Sequence, residues 1–323
     1  MRPRVTVLVP TYDAGAEFPE ILAALLDQEL DRPFEVLAID SGSTDGTLEV
    51  LRSHPVRLLE IPSSEFDHGL TRALGVREAQ GEIVALTVQD ARPHDRRWLQ
   101  PLVDCYRDPE VAGAYSRQLP RPDANPFIKS RLAGWTAARL DPRVQRIDSP
   151  EAFDALPPLE KLGTAAFDNV ASSVRRSVAL EIPFRQRQFG EDLDWGLRVV
   201  RAGYKIVFEP RSAVVHSHDR SIWYEFKRVY LDHQNLHRLL GVHTVPTWEA
   251  VKSSTRAEVR RLLNLVREDP DLGAAGRLRW KLAAYPTGFS QNLAQYLGAR
   301  SVAELDASSR VFAVLDRWLR RGV

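Results

Sequence analysis

Three polar segments and two clusters of charged side chains carry the chemistry that this 323-residue chain can offer. Pro10-Thr11-Tyr12-Asp13, Asp40-Ser41-Gly42-Ser43-Thr44-Asp45-Gly46 and Gln89-Asp90 each follow a short apolar run, and together they supply hydroxyls, carboxylates and an aromatic ring. Asp, Ser, Gly and Thr are also what turns and helix caps use, so any one segment alone reads equally as loop chemistry. His68 and Arg72 lie four apart in a helical run, which puts them on one face where an anion can meet both. Glu191-Asp192-Leu193-Asp194-Trp195 brings three carboxylates into what reads as the first turn of a helix. The macrodipole favours acids there, and a carboxylate there can also accept a proton.

The elements that must position these groups alternate in the N-terminal half. Arg4 to Val9, Phe34 to Ile39, Val56 to Ile61 and Glu82 to Thr87 read as strands. Ala16 to Leu26, Thr47 to Arg52 and Gly69 to Ala79 read as the helices between them. That rhythm predicts an α/β fold, an open, mostly parallel sheet with helices on both faces, and such sheets bind ligands beyond the carboxyl ends of their strands. The polar segments all fall there. A G-x-G-x-x-G dinucleotide fingerprint is absent after the first strand, where only Gly15 is near. Residues 113 to 165, interrupted by Pro120, Pro122, Pro126, Pro142, Pro150, Pro157 and Pro158, predict loops and short helices. Further on, Asp168 to Val174, Lys205 to Glu209 and Ala213 to His216 read as strands and Asp192 to Ala202 as a helix. From Ser221 the chain reads as helical, with breaks near Gly241 to Pro246, Pro270 to Gly276 and Pro286 to Gly288.

Composition narrows the class. With 44% hydrophobic residues the chain is not disordered, and its length predicts two units with a core that needs no staples. Its single cysteine, Cys105, leaves no intramolecular disulfide or Cys-rich zinc site and fits a reducing, cytoplasmic compartment. The first ten residues hold too short an apolar run for a signal peptide, and nothing is long enough to span a bilayer. A net charge of +1 argues against a nucleic-acid binder with a global basic field. The charge is uneven, however: residues 222 to 323 hold 16 basic and 10 acidic side chains, a balance of +6, against −5 for the rest.

The runs VTVLVPTYDAG, LAIDSGSTDGT, GEIVALTVQDARP and FGEDLDWGLRVVRAGYKIVFEP resemble the family 2 glycosyltransferases with the GT-A fold, over roughly residues 4 to 220 and in order. FDHGLTRALGVREAQGEIVALTVQDARP and VVHSHDRS resemble its rhamnosyltransferase branch, which uses dTDP-rhamnose to build bacterial surface polysaccharides. The resemblance implies a GT-A catalytic domain over 1–220, its Rossmann-like nucleotide-sugar-binding half over 1–100 and its acceptor-binding half over 101–220, followed by a helical C-terminal region over 221–323. It implies an inverting transfer of a sugar to a surface-glycan or polyprenyl-linked acceptor. The rhamnose of dTDP-rhamnose ranks first and a UDP-hexose second.

Residue by residue, the resemblance puts base binding on Thr11, Tyr12 and Asp40, within a donor site that also takes in Pro10, Ser41, Gln89 and Asp90. Arg72 goes to the donor diphosphate, although Ala73 stands where related sequences often have Asn. A Mg²⁺ or Mn²⁺ ion is implied at the diphosphate, but Val88-Gln89-Asp90-Ala91 offers one carboxylate where the family has an Asp-x-Asp-like cluster. A metal at Asp90 therefore needs a partner, which His216 or His218 can supply unless they are structural. The family's base falls on Asp192, the second acid of its Glu-Asp pair with Glu191. Asp194 reads as an anchor at the acceptor side, while Trp195 and Trp223 line an acceptor sugar or belong to the core.

The last helices carry amphipathic stripes, Phe226, Val229, Tyr230, His233 and His237 in one and Val311, Phe312, Leu315, Trp318 and Leu319 in another. Packing on the catalytic domain, docking on an anionic membrane through Arg310, Arg317, Arg320 and Arg321, and a dimer interface all fit them. Two rival functions remain. A nucleotide-sugar-binding protein without transfer activity would explain the incomplete acidic cluster. A nucleotidyltransferase would want a basic, Gly-rich loop after the first strand, and Pro10 to Gly15 has neither Lys nor Arg.

Overall fold

The computed structural model describes residues 4–187 and 189–322; the first three residues of the N-terminal run lie outside them. In chain order the elements begin with β1 (Val5–Thr11), α1 (Phe18–Leu26), β2 (Phe34–Asp40), α2 (Thr47–Arg52), β3 (Arg57–Glu60), α3 (His68–Glu78), β4 (Ile83–Thr87), β5 (Arg92–Pro93) and α4 (Leu99–Asp104). There follow β6 (Val111–Leu119), α5 (Pro126–Leu132), β7 (Arg143–Gln145), α6 (Pro150–Ala155), α7 (Pro158–Ala165), β8 (Ala171–Arg175), α8 (Arg176–Glu181), α9 (Glu191–Arg201) and β9 (Lys205–Val215). Four long helices complete the chain: α10 (Ile222–Leu240), α11 (Trp248–Glu268), α12 (Ala274–Asp306) and α13 (Arg310–Leu319).

The chain divides into two compact units. The first runs to Pro122 and takes in Leu132–Leu156 and Gly163–Ser217. It is built on one sheet of order β3-β2-β1-β4-β8-β6-β9-β5, with β7 paired to β9. β1 to β4 pair in parallel, as do β6 and β9, whereas β8 runs antiparallel to both β4 and β6. Val5, Val7, Leu8 and Val9 of β1 are fully buried, because α1 covers one face with Phe18, Ile21, Leu22 and Leu25 while other helices cover the opposite one. The predicted strands and helices of the N-terminal half stand, with ends shifted by a residue or two.

The loops predicted over 113–165 are corrected at their start: Val111–Leu119 is a nine-residue strand inside the sheet. Val111, Ala112, Ala114 and Tyr115 are buried there, and Gly113 admits Trp195 and Phe167 so closely that a Cβ would lie 2.9 Å from each ring. The two strands expected over 205–216 are one, β9, which crosses a register shift against β6 after Glu209.

The second unit comprises Asp123–Arg131, Pro157–Leu162 and His218–Val323, so two short middle segments belong with the C-terminal helices. The break predicted near Pro286 is absent, since α12 runs unbroken from Ala274 to Asp306. A proline inside a helix loses one backbone hydrogen bond at about 3 kcal/mol, which packing along both neighbouring helices offsets. Gly298 lets α12 approach the backbone of α10, where a Cβ would fall 2.3 Å from the Tyr230 carbonyl oxygen. α13 turns Leu319 inward and leaves Val311, Val314 and Trp318 exposed, while Arg320 is tied to Asp316 and Gln234. Among the described residues no helix is long and apolar enough to cross a membrane.

Candidate active site

The ends of β1, β2, β4, β6 and β9 and the start of β8 lie on one edge of the sheet, because β8 alone among them runs the other way. Its antiparallel course brings Asp168-Asn169-Val170 beside Val88-Gln89-Asp90: the Val88 amide donates to the Val170 carbonyl at 3.3 Å. Parallel topology would have sent those residues to the far edge.

At the β1 and β2 ends, side chains stitch two loops together. Asp40 is fully buried, and its carboxylate accepts from Thr11 Oγ1 at 2.8 Å, Ser43 Oγ at 2.6 Å and the amides of Gly42 and Ser43 at 2.9 Å. These four donors tie Asp40, the residue expected at the base or ribose, into the loop and fix the loop's shape. Ser41 and Thr11 are buried in the same network, and Pro10 pairs with Ile39 inside the sheet. Tyr12 is different, with its ring exposed and its backbone held at both ends by the Gln89 amide, at 2.7 and 3.0 Å. The next residue, Asp13, adopts φ 40°, a left-handed conformation stabilised because its carboxylate accepts from the Thr44 amide at 2.7 Å. Asp13 and Gly15, whose amide reaches Asp45 at 2.8 Å, belong to this loop pair and were unassigned in the sequence.

Arg72 does not face outward toward an anion. It is buried, and its guanidinium donates to Glu191 Oε1 at 2.7 Å and to the His68 carbonyl at 3.0 Å. The guanidinium expected at the diphosphate is engaged in a buried ion pair, which accounts for the otherwise costly burial of Glu191. Beside that pair Asp192 remains half-buried and accepts from the Leu193 amide at 2.8 Å and the Asn169 amide at 3.4 Å. Burial pushes its carboxyl up to about 8, and the neighbouring Glu191 and Asp168 carboxylates add to the shift.

Asp194 is anchored, and of the two readings open for Trp195 the structure shows the core one. Asp194 is buried between Arg187 at 2.5 Å and Arg198 at 2.9 Å. Trp195 is wholly inside, stacked on Phe184 with its Nε1 donating to the Ile182 carbonyl at 2.8 Å. Helical spacing is the reason: Asp192 lies toward the sheet edge, and the next residues on α9 turn into the core.

His216 Nε2 lies 3.5 Å from Asp90 Oδ1, since β5 and β9 pair antiparallel and return the chain after Asp90 alongside the strand leading to His216. One ligand atom each from Asp90, His216 and His218 falls within 4.8 Å of the others. Ser217 between the two histidines is buried and accepts from the Arg121 amide at 3.0 Å, so both flanking imidazoles start from a fixed backbone. Gln118, which had no assigned role, donates through Nε2 to Asp168 and turns Oε1 toward His216 Nδ1 at 3.3 Å. That carbonyl oxygen can only accept, so it orients the ring with Nδ1 toward Gln118 and Nε2 on the Asp90 side. One carboxylate and two imidazoles make a donor set that suits a divalent ion.

Comparison with known proteins identifies the family. The glycosyl transferase family 2 model matches residues 6–159. The chain is 30% identical over 233 residues to the O-antigen chain rhamnosyltransferase RfbN of Salmonella typhimurium, covering 70% of each protein. It is 31% identical to the O-antigen chain rhamnosyltransferase WbaN of Salmonella anatum, over 71% of this chain and 70% of that one. The N-acetylglucosaminyl-diphospho-decaprenol L-rhamnosyltransferase of Mycobacterium tuberculosis is 29% identical over 65% of this chain and 75% of its own. Among solved structures, residues 1–349 of S. aureus TarS superpose with a TM-score of 0.50 at 14% identity, covering 93% of this chain and 91% of that one, a likeness of fold. With its sheet edge, its Glu191-Asp192 pair and these relatives, the chain belongs to glycosyltransferase family 2, has the GT-A fold and is a glycosyltransferase.

Proposed function

We propose that the chain is an inverting rhamnosyltransferase that moves rhamnose from a dTDP-sugar to a glycan or polyprenyl-linked acceptor. The observation that carries the chemistry is Asp192, a half-buried carboxylate with a raised proton affinity on the same sheet edge as Asp90 and His216. The relatives at 30 and 31% identity support rhamnose. In this reading residues 1–100 hold the nucleotide, with the exposed Tyr12 ring stacked on the pyrimidine, and 101–220 receive the acceptor. Asp192 takes the proton of the acceptor hydroxyl as that oxygen bonds to C1 of the sugar. The bond from C1 to the phosphate oxygen breaks, and its electron pair leaves with the diphosphate.

Asp90, His216 and His218 are the residues that would hold a divalent cation, and two imidazoles beside one carboxylate favour Mn²⁺ over Mg²⁺. Such an ion supplies charge neutralisation at the departing diphosphate. Arg72 holds Glu191 in place through their ion pair at 2.7 Å, on the helix turn that also carries Asp192. A panel of dTDP-rhamnose, UDP-glucose, UDP-galactose and GDP-mannose, scored by thermal shift and by turnover, tests the donor. Selective stabilisation and turnover with dTDP-rhamnose are expected; equal response to UDP-glucose would move the donor to a UDP-hexose, and stabilisation without turnover of any donor would favour a binding protein.

A further inference from the structure

A groove between α11 and α12, within the helical unit, is lined by Arg256, Val259, Arg260, Leu263, Arg267, Lys281 and Tyr285. Four cations stand in it without a carboxylate among the lining residues. Arg256, Arg260 and Lys281 form no ion pair among the described residues, and Arg267 meets only its exposed neighbour Glu268 at 3.3 Å. Glu258, another acid on α11, is occupied by Arg261 through both oxygens, at 2.6 and 2.8 Å. Along α12 the positions 278, 282 and 285 share one face, and Leu278, Leu282 and Tyr285 there are 61, 71 and 63% exposed. The basic groove and the bare apolar stripe therefore meet at Tyr285 and Lys281 on adjacent turns of one helix.

Each half of this surface selects against a different occupant. A second copy of the chain docking through this face by a twofold axis would gather both sets of four cations in one interface, with no carboxylate in either groove lining to pair them. Nucleic acid would satisfy the cations but leave two leucines in water. The boundary between phosphate headgroups and acyl chains satisfies both, because anionic phosphates meet the guanidinium and ammonium groups while the leucines enter the apolar layer. We propose that this α11–α12 face, rather than the final helix alone, docks the protein on an anionic lipid bilayer. The proposal deepens the reading of a lipid-linked acceptor, since such an acceptor resides at that surface.

The test is cosedimentation of the full chain with vesicles of phosphatidylcholine alone or with about one third phosphatidylglycerol, over a series of salt concentrations. Two variants accompany it: Arg256→Gln, Arg260→Gln and Lys281→Gln together, and Leu278→Ser with Leu282→Ser. Binding is expected only to the anionic vesicles and should weaken as salt rises. The charge variant should lose about 100-fold in partitioning, and the leucine variant about tenfold or more. These residues are exposed, so melting temperature and dTDP binding should stay as in the parent, and retained dTDP binding separates failure of docking from failure of the donor reading. The proposal is overturned by wild-type vesicle binding in the charge variant, or by binding that only Arg317→Ser with Arg321→Ser removes. Self-association, or affinity for duplex DNA, that depends on the same three cations would also overturn it, as would full displacement by millimolar inorganic phosphate.

Discussion

Asp192 shows how burial sets a residue's chemistry. With its carboxyl raised to about 8, it must lose its proton before it can act, so kcat/KM is expected to climb with pH toward that value. Asp192→Asn should lower transfer ~10²-fold or more while changing donor affinity only a few-fold, measured by product formation and by dTDP titration. The same shift bears on stability. Between the ordinary carboxylate range and about 8 the folded chain keeps a proton that the unfolded chain has released, so this group's contribution falls as pH rises through that window. Asp192→Asn should therefore melt higher than the parent at pH 8, with a smaller gain at pH 5; a variant that melts lower at pH 8 would contradict the burial account. For Arg72 the sign reverses. Arg72→Met leaves the Glu191 carboxylate buried without its partner and should destabilise by about 3 to 5 kcal/mol in urea titration, with part recovered by adding Glu191→Met.

At the scale of elements, one close approach and one interior proline make separable tests. Gly113→Ala in β6 places a methyl against two rigid rings at 2.9 Å, and about 1 to 3 kcal/mol of destabilisation is expected by denaturant titration. Pro286→Ala should do the opposite in α12, restoring a backbone donor within an unbroken helix and raising the melting temperature. β6 itself was hidden in the sequence because its polar carboxyl end, Ser116-Arg117-Gln118, runs into the proline-rich segment and dilutes the apolar signal. β1, β2 and β4 were legible because they are buried on both faces and read as unbroken apolar runs.

Across the molecule, the proposed cation site draws Asp90 from the turn before β5 and His216 from the end of β9, with Gln118 of β6 behind the imidazole. It should bind Mn²⁺ weakly alone and more tightly with dTDP present, as calorimetry can measure. His216→Ala and Asp90→Asn should each weaken binding about tenfold or more, and Gln118→Leu by a smaller factor without touching a ligand atom. Turnover that persists undiminished in excess chelator would remove the ion from the mechanism and leave leaving-group stabilisation to protein donors.

By itself the sequence determined the strand and helix rhythm, the polar loops at the strand ends and the acid pair that opens α9, because apolar period and turn chemistry act over a few residues. What it left open was which of those side chains face a ligand. The pairing of Arg72 with Glu191 spans 119 positions, and no local pattern marks either as the other's partner. Asp40 and Trp195 looked available until the structure supplied Asp40 with four donors and closed Phe184 and Phe167 over the indole. Asp168 and Gln118 join the site only because β8 runs antiparallel between β4 and β6. Strand direction and order are settled by which faces bury each other across the whole sheet, and that is a property of tertiary packing rather than of any segment.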